Sequence, residues 1–275
     1  FQYFFNTKIS FKFGSDFQTN SFIGPNFNYS LLSFGREITT QEQNSQKLSL
    51  LNSAFFAQIN WNFEKGLGFN LGLRYSHQKL VNANSKVWLP RMLIKKVINN
   101  YWATFLSFDR YSQPTHRFRQ GVLSSSEDFV APPSIDLPVQ ITNQVATGIV
   151  FTNKFFEVQG QTYYRELSKV VDRDFNRGLF NLASANLGEI DNRPEDNLIS
   201  VNGRVFGFEM GAKFRYKRIK VSAQYAYTDS KRISEKLNFE KPYNFDFYRP
   251  HHFQTNLSYR FKKTSLNKIV AFSCS

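Results

Sequence analysis

The chain is 275 residues long and unusually rich in rings, with 31 Phe, 13 Tyr and 3 Trp, and it carries 35 Lys plus Arg against 21 Asp plus Glu, a formal net charge of +14. No stretch approaches the roughly 18 to 20 apolar residues of a membrane helix, which excludes a helical membrane protein. A mean hydropathy of −0.43 argues equally against a soluble core that hides every ring.

Rings and polar residues coexist if they alternate, and alternation is the strand signature. It runs through 48–63 and then sharpens. Leu67, Phe69, Leu71, Leu73 and Tyr75 alternate with Gly68, Asn70, Gly72, Arg74 and Ser76. Noisier runs cover 101–112, 143–153 and 154–165. Phe206, Phe208, Met210, Ala212, Phe214 and Tyr216 then alternate with Gly207, Glu209, Gly211, Lys213 and Arg215. Val221, Ala223, Tyr225 and Tyr227 face away from Ser222 and Gln224. Phe253, Thr255, Leu257 and Tyr259 face away from Gln254, Asn256, Ser258 and Arg260. Each run is roughly ten residues or more, the length of a tilted strand that crosses a bilayer; strands of soluble sheets are nearer five or six. In lipid only a closed barrel pairs all of its backbone groups between strands. The count is about ten strands.

The connections alternate too. Glu64-Lys65-Gly66, Asn99-Asn100, Asn153-Lys154 and Lys217-Arg218 read as tight turns. Leu80 to Lys86, Gln113 to Thr142, Glu166 to Gly203 and Asp229 to His252 read as longer loops. The second of these carries Pro114, Pro132, Pro133 and Pro138, which no sheet interior accepts. Short turns at one edge and long loops at the other are the pattern of an outer-membrane barrel. Both ends depart from it: 14–26 reads as a long connection where a short one is due, and Thr264 to Ser275 holds one poor strand. Phe1 to Phe13, interrupted by Gln2, Asn6, Lys8 and Lys12, is no signal peptide, so a truncated start is expected.

Chemistry is sparse. The lone Cys274 excludes an internal disulfide framework, and Gly66-Leu67-Gly68 lacks the third glycine and the helix of a dinucleotide site. His251 and His252 fall on opposite faces of a strand and would not share a metal. The acid pairs Glu127-Asp128 and Glu195-Asp196 read as solvated loop charges. No catalytic, metal or cofactor site is expected. Basic residues are spread thinly along the chain, so nucleic acid is not an expected partner; anionic surface lipid is. Two groups remain as candidates for binding. Arg74, Gln159, Gln161, Glu209, Lys213, Gln224 and Arg260 face a lumen, although any barrel interior is polar. His116, Arg117 and Arg119 stand beside Phe118 and Phe129 in an outer loop, where barrels meet ligands.

Several stretches resemble the C-terminal part of the barrel of TonB-dependent receptors. AFFAQINWNFEKGLGFNLGLRYSH (54–77) resembles a recurring hairpin of the family, and LPRMLIKKVINNYWATFLSFDRYSQPTHRF (89–118) the hairpin after it, ending in Asp109-Arg110-Tyr111-Ser112-Gln113. GRVFGFEMGAKF (203–214) is similar to a Gly-x-x-x-Gly-x-Glu strand that places Glu209. YAYTDSKRI (225–233) and YRPHHFQTNLSYRF (248–261) resemble the next two strands. The resemblance spans 48–263. It implies an all-β, antiparallel transmembrane barrel of which residues 1–275 form a single incomplete region; the complete barrel would have about 22 strands. It further implies residence in the outer membrane and uptake of a metal-siderophore, vitamin or glycan, powered by the TonB complex. The plug and the TonB box are expected to lie outside this chain. Two rival readings are a stand-alone outer-membrane barrel of 10 to 12 strands, acting as a porin or membrane-embedded hydrolase, and a soluble sheet that stacks nucleic acid.

Overall fold

A computed structural model describes residues 1–23, 30–33, 36–39, 47–79, 84–119, 128–131, 138–173, 198–235, 237–245, 248–260 and 269–274. Its strands are β1 (Gln2–Phe4), β2 (Ile9–Ile23), β3 (Ser30–Ser33), β4 (Arg36–Thr39), β5 (Lys47–Asn62), β6 (Leu67–Lys79), β7 (Asn84–Val97), β8 (Trp102–Gln113) and β9 (His116–Arg119). They continue with β10 (Asp128–Ala131), β11 (Gln140–Thr152), β12 (Phe156–Arg173), β13 (Leu198–Tyr216), β14 (Ile219–Ile233), β15 (Tyr243–Asn244), β16 (His251–Arg260) and β17 (Ile269–Cys274). One 13-stranded sheet runs β1-β2-β5-β6-β7-β8-β11-β12-β13-β14-β16-β17, with β15 added beside β14. Every pairing is antiparallel. Two short hairpins, β3–β4 and β9–β10, stand in the long connections. No helix among the described residues is long and apolar enough to cross a membrane.

The main path therefore has twelve strands, not ten. The difference lies at the ends. Residues 14–23 are strand, not connection, because Gly14 does not turn the chain: it sits opposite Phe56, whose ring lies 2.8 Å from where a Cβ would stand. The short turn expected near 14–26 lies earlier, at Phe5 to Lys8. Ile269–Cys274 supplies the twelfth strand. Strands also outrun the predicted loops: β6 and β7 pair as far as Lys79 with Asn84, and β12 and β13 as far as Arg173 with Leu198.

One edge of the sheet is made of tight turns, and three of them use the same device. Asn6 Oδ1 accepts the backbone N–H of Lys8 and of Ile9, each at 2.8 Å. Asn99 Oδ1 accepts those of Tyr101 and Trp102 at 2.9 and 3.0 Å, and Asn153 Oδ1 those of Phe155 and Phe156 at 2.8 and 2.7 Å. A short side-chain carbonyl that mimics the backbone is why Asn is favoured in turns. At Glu64–Gly66 the chain reverses through left-handed Lys65 and Gly66 instead (φ 59° and 72°).

Register gives the sheet two unlike faces, since a strand alternates with period two. Phe55, Ile59, Leu71, Leu73, Trp88, Val145, Ile149, Phe206, Met210, Phe253 and Leu257 share one face. They remain exposed, Met210 at 49 % and Phe253 at 56 %. Asn60, Asn70, Arg74, Gln161, Glu209, Gln224 and Gln254 share the other. The apolar run on β13 goes from Phe206 to Tyr216, ten steps. At about 3.4 Å per step and a tilt of about 45° this is about 24 Å high.

Candidate functional site: the polar wall

The polar face is densest where β12, β13 and β14 adjoin. Register sets Gln159 opposite Gly211, Gln161 opposite Glu209 and Glu157 opposite Lys213; Gly211 in turn faces Gln224, which faces Gln254. Gln161 Nε2 donates to Glu209 Oε2 at 2.7 Å. Lys213 Nζ donates to Glu157 Oε1 at 2.7 Å, and Arg215 approaches the second oxygen at 4.0 Å. A hollow of about 270 Å³ lies over this patch, lined by Gln159, Gln161, Glu209, Gln224, His252 and Phe105 among others.

Glycine spacing shapes the wall. Gly203, Gly207 and Gly211 recur every fourth residue on the polar face of β13, opposite Leu167, Tyr163 and Gln159 of β12. A Cβ on Gly207 would lie 2.1 Å from the Tyr163 ring. The missing side chain lets that ring lie flat beside Ala146 and Val205, the small buried cluster of the sheet. Arg165 caps the ring with its guanidinium 4.2 Å away and donates from Nε to Gln144 Oε1 at 2.6 Å. Gly148 admits Phe105 in the same manner.

Of the residues expected to face a lumen, Gln159, Gln161, Glu209, Lys213 and Gln224 come together in this patch. Arg74 lies on the same face but four strands away on β6, where Arg74 Nη2 meets Asp16 Oδ2 at 3.0 Å. Arg260 falls on the matching register of β16, with its side chain outside the described residues. The backbone of His116, Arg117 and Arg119 forms β9 in the β9–β10 hairpin; their side chains, and those of Phe118 and Phe129, are also outside. Glu127 and the pair Glu195-Asp196 are outside altogether. His251 and His252 point to opposite faces as the parity requires: His251 Nδ1 lies 2.8 Å from Tyr225 Oη on the apolar face, and His252 lines the hollow.

Other residues of the polar face stand beside the expected set. Arg91, Asp109, Gln144 and Arg165 form one register row. Parity from Gln159 would have found Arg165 and Glu157. Arg91 is masked by its neighbours, because Val87, Leu89 and Leu93 share its face.

At the loop edge the wall rises above the apolar band. Between Leu167 and Val170 an extra residue bulges out of β12, with Lys169 in the left-handed region (φ 62°). The bulge shifts the parity, so Val170 and Asp172 join the polar face. Asp172 is 7 % exposed; Arg232 Nη1 meets its Oδ2 at 2.6 Å and Tyr243 Oη donates to the same oxygen at 2.8 Å. The Arg232 guanidinium also lies 4.0 Å above the Phe245 ring. Loss of water, then the nearby Asp229 carboxylate, hold the Tyr248 phenol above its ordinary range.

A metal site would need three or more clustered His, Cys, Asp or Glu, and none is found among the described residues. What the wall offers is a two-sided sheet: hydrogen-bonding groups on one face, bare rings on the other.

Comparison with known proteins adds the lineage. The chain matches the family model "TonB dependent receptor-like, beta-barrel" over residues 1–268. No curated protein sequence matches it. Among solved structures it is similar to the FrpB iron transporter of Neisseria meningitidis (F5-1 variant; TM-score 0.66, 10 % identity, 99 % of this chain and 41 % of that one). It is also similar to the ferric yersiniabactin uptake receptor FyuA of Yersinia pestis (0.63, 10 %, 98 % and 39 %). A third is BauA, the ferric preacinetobactin receptor of Acinetobacter baumannii (0.61, 11 %, 98 % and 40 %). The chain thus spans about 40 % of each of these structures, and identities this low show the shared fold. The family consists of transport proteins and receptors of the Gram-negative outer membrane. The chain belongs to the TonB-dependent receptor-like β-barrel family.

Proposed function

We propose that this chain forms part of the barrel wall of an outer-membrane receptor that imports a scarce nutrient, a chelated metal being the first candidate, in a step driven by the TonB complex. The observation that carries the reading is the two-faced sheet. Its apolar band, about 24 Å high, matches the hydrocarbon-facing belt of outer-membrane barrels, while the opposite face supplies a wet wall. The relatives named above are described as an iron transporter and as receptors for ferric chelates, which favours a metal chelate over a vitamin or glycan. On this reading the wall performs no bond chemistry. Loop-edge residues, with His116, Arg117 and Arg119 as candidates, meet the ligand, and Gln159, Gln161, Glu209, Lys213 and Gln224 offer it exchangeable hydrogen bonds along the wall. A stand-alone barrel is less well supported, because β1 and β17 do not pair with one another.

The test is growth and radio-iron uptake under iron limitation, with and without the gene, in strains with and without functional TonB. Uptake of at least one ferric chelate should fall in both deletions. Unchanged uptake of all chelates tried, with loss of a vitamin or glycan instead, would redirect the substrate; TonB-independent uptake would overturn the energy coupling.

A further inference from the structure

Charge is spread unevenly along the height of the polar wall. On the loop side and at mid-height Arg74, Arg91, Arg165 and Arg232 are matched in number by Asp16, Asp109, Asp172 and Glu209. Arg74 meets Asp16 at 3.0 Å and Arg232 meets Asp172 at 2.6 Å, while Arg91 stands directly opposite Asp109. Near the turns the balance is lost. Lys12 of β2, Lys95 of β7, Lys213 and Arg215 of β13 and Lys220 of β14 share the polar face. Each lies within four residues of the turn end of its strand. The one acid on this face of the same zone, among the described residues, is Glu157; Lys213 Nζ holds it at 2.7 Å, and Arg215 reaches only to 4.0 Å. Arg215 and Lys220 face each other directly, and like charges so placed destabilise a sheet. Lys12, Lys95 and Lys220 are exposed and form no ion pair among the described residues. The result is a belt of uncompensated cations around the turn side of the wall, beneath a wall whose charges cancel.

We propose that this belt makes the wall selective for a metal chelate of net negative charge, and that Lys12, Lys95, Arg215 and Lys220 draw it toward the turn-side mouth. The proposal rests on the reading of this chain as part of a nutrient importer and narrows its cargo. A cleft lined by one sign of charge concentrates solutes of the other sign. Salt screens exposed charges beyond about 8–10 Å, so the belt acts on cargo that has already descended the wall. It therefore governs passage rather than capture. Anionic oxygens of the chelator suit the guanidinium fork of Arg215 and the ammonium groups beside it; a neutral or cationic chelate gains nothing from them. A lipid headgroup is the wrong occupant, because these cations stand on the face opposite the exposed rings. The neighbouring cation on that other face, Lys96, is tied back to the Lys65 carbonyl at 2.9 Å.

The experiment uses cells that produce the intact receptor, supplied with radio-iron as anionic chelates (ferric citrate and a ferric tris-catecholate), a neutral trihydroxamate and a cationic one. Gene-dependent uptake is expected for an anionic chelate. Lys95→Gln with Arg215→Gln and Lys220→Gln should lower its initial uptake rate roughly five-fold, and Arg215→Gln alone roughly two-fold. Binding to the surface of chilled cells should be unchanged. Arg215→Lys with Lys220→Arg should keep the rate, and Lys96→Gln, one residue from Lys95 but on the other face, should leave it untouched. Heat-modifiable migration in gels verifies that each variant is folded; should the triple variant not fold, Lys95→Gln against Lys96→Gln decides. Gene-dependent uptake restricted to neutral or cationic chelates, an undiminished rate in the triple variant, or a loss of surface binding in step with the rate would each overturn the proposal. So would an equal loss for neutral and anionic chelates. Absence of gene-dependent uptake for every chelate would instead sink the transport reading beneath it.

Discussion

The two edges of this sheet are built on different principles. At the turn edge each reversal is local: one asparagine carbonyl closes the turn at Asn6, Asn99 and Asn153. Rings gather close by, as with Trp61 on Phe63 and Trp102 on Phe151. At the loop edge the order is non-local. Arg232, Tyr243 and Phe245 are brought together by the β14–β15 pairing, and Asp172, from a distant stretch of chain, joins them because a bulge turns it inward. The difference teaches that one edge can be repaired residue by residue, whereas the other stands or falls as a cluster.

That contrast can be broken by mutation. The largest effect is expected at the cluster: Arg232→Ala takes the guanidinium away from the buried Asp172 carboxylate, which keeps the Tyr243 hydroxyl, at a cost of about 3 kcal/mol. Amide exchange of 237–245 should accelerate strongly while the turn edge keeps its protection; uniform acceleration would show that the two edges are not separable. Next comes the band between them. Leu71→Arg or Tyr225→Arg should hinder assembly by roughly 2–4 kcal/mol, and arginine at Asn70 or Gln224 should be mild in the same detergent-gel assay. Equal damage on both faces would discredit the division into faces. Gly207→Ala presses a methyl against the Tyr163 ring and should cost about 1–3 kcal/mol, largely recovered by Tyr163→Ala in a denaturant titration. The smallest effect belongs to a single turn: Asn99→Ala should cost about 0.5–1.5 kcal/mol, with faster exchange confined to Tyr101 and Trp102. A loss as large as that of Arg232→Ala would remove the distinction between local and clustered order.

Much of this architecture is legible in the sequence because strand parity is arithmetic. Phe206 to Tyr216 fixes a face, and the register then carries Gln159, Gln161, Glu209, Lys213 and Gln224 to the same side. What escapes is whatever interrupts the arithmetic. The stretch 14–26 reads as a connection, yet Gly14 is a hollow for Phe56, and Phe11, Phe13 and Phe17 keep their alternation straight through it. The bulge at Lys169 reverses the parity of Asp172, which counting assigns to the wrong side. On β7, Val87, Leu89 and Leu93 put aliphatic groups on the polar face and so conceal Arg91. The wall tolerates them because a polar face needs hydrogen-bonding groups at intervals rather than at every position.

The flank of β2 has its own consequence. Gln2–Phe4 pairs only with Ser10 to Lys12 of β2, and the Phe1 carbonyl takes the N–H of Phe13. From Gly14 to Ile23 the flank of β2 away from β5 has no strand beside it among the described residues. A row of free amides and carbonyls is a template for any extended peptide. Residues 1–275 produced in isolation would therefore recruit a neighbouring copy along this seam, and a synthetic peptide that fits the seam should suppress that association.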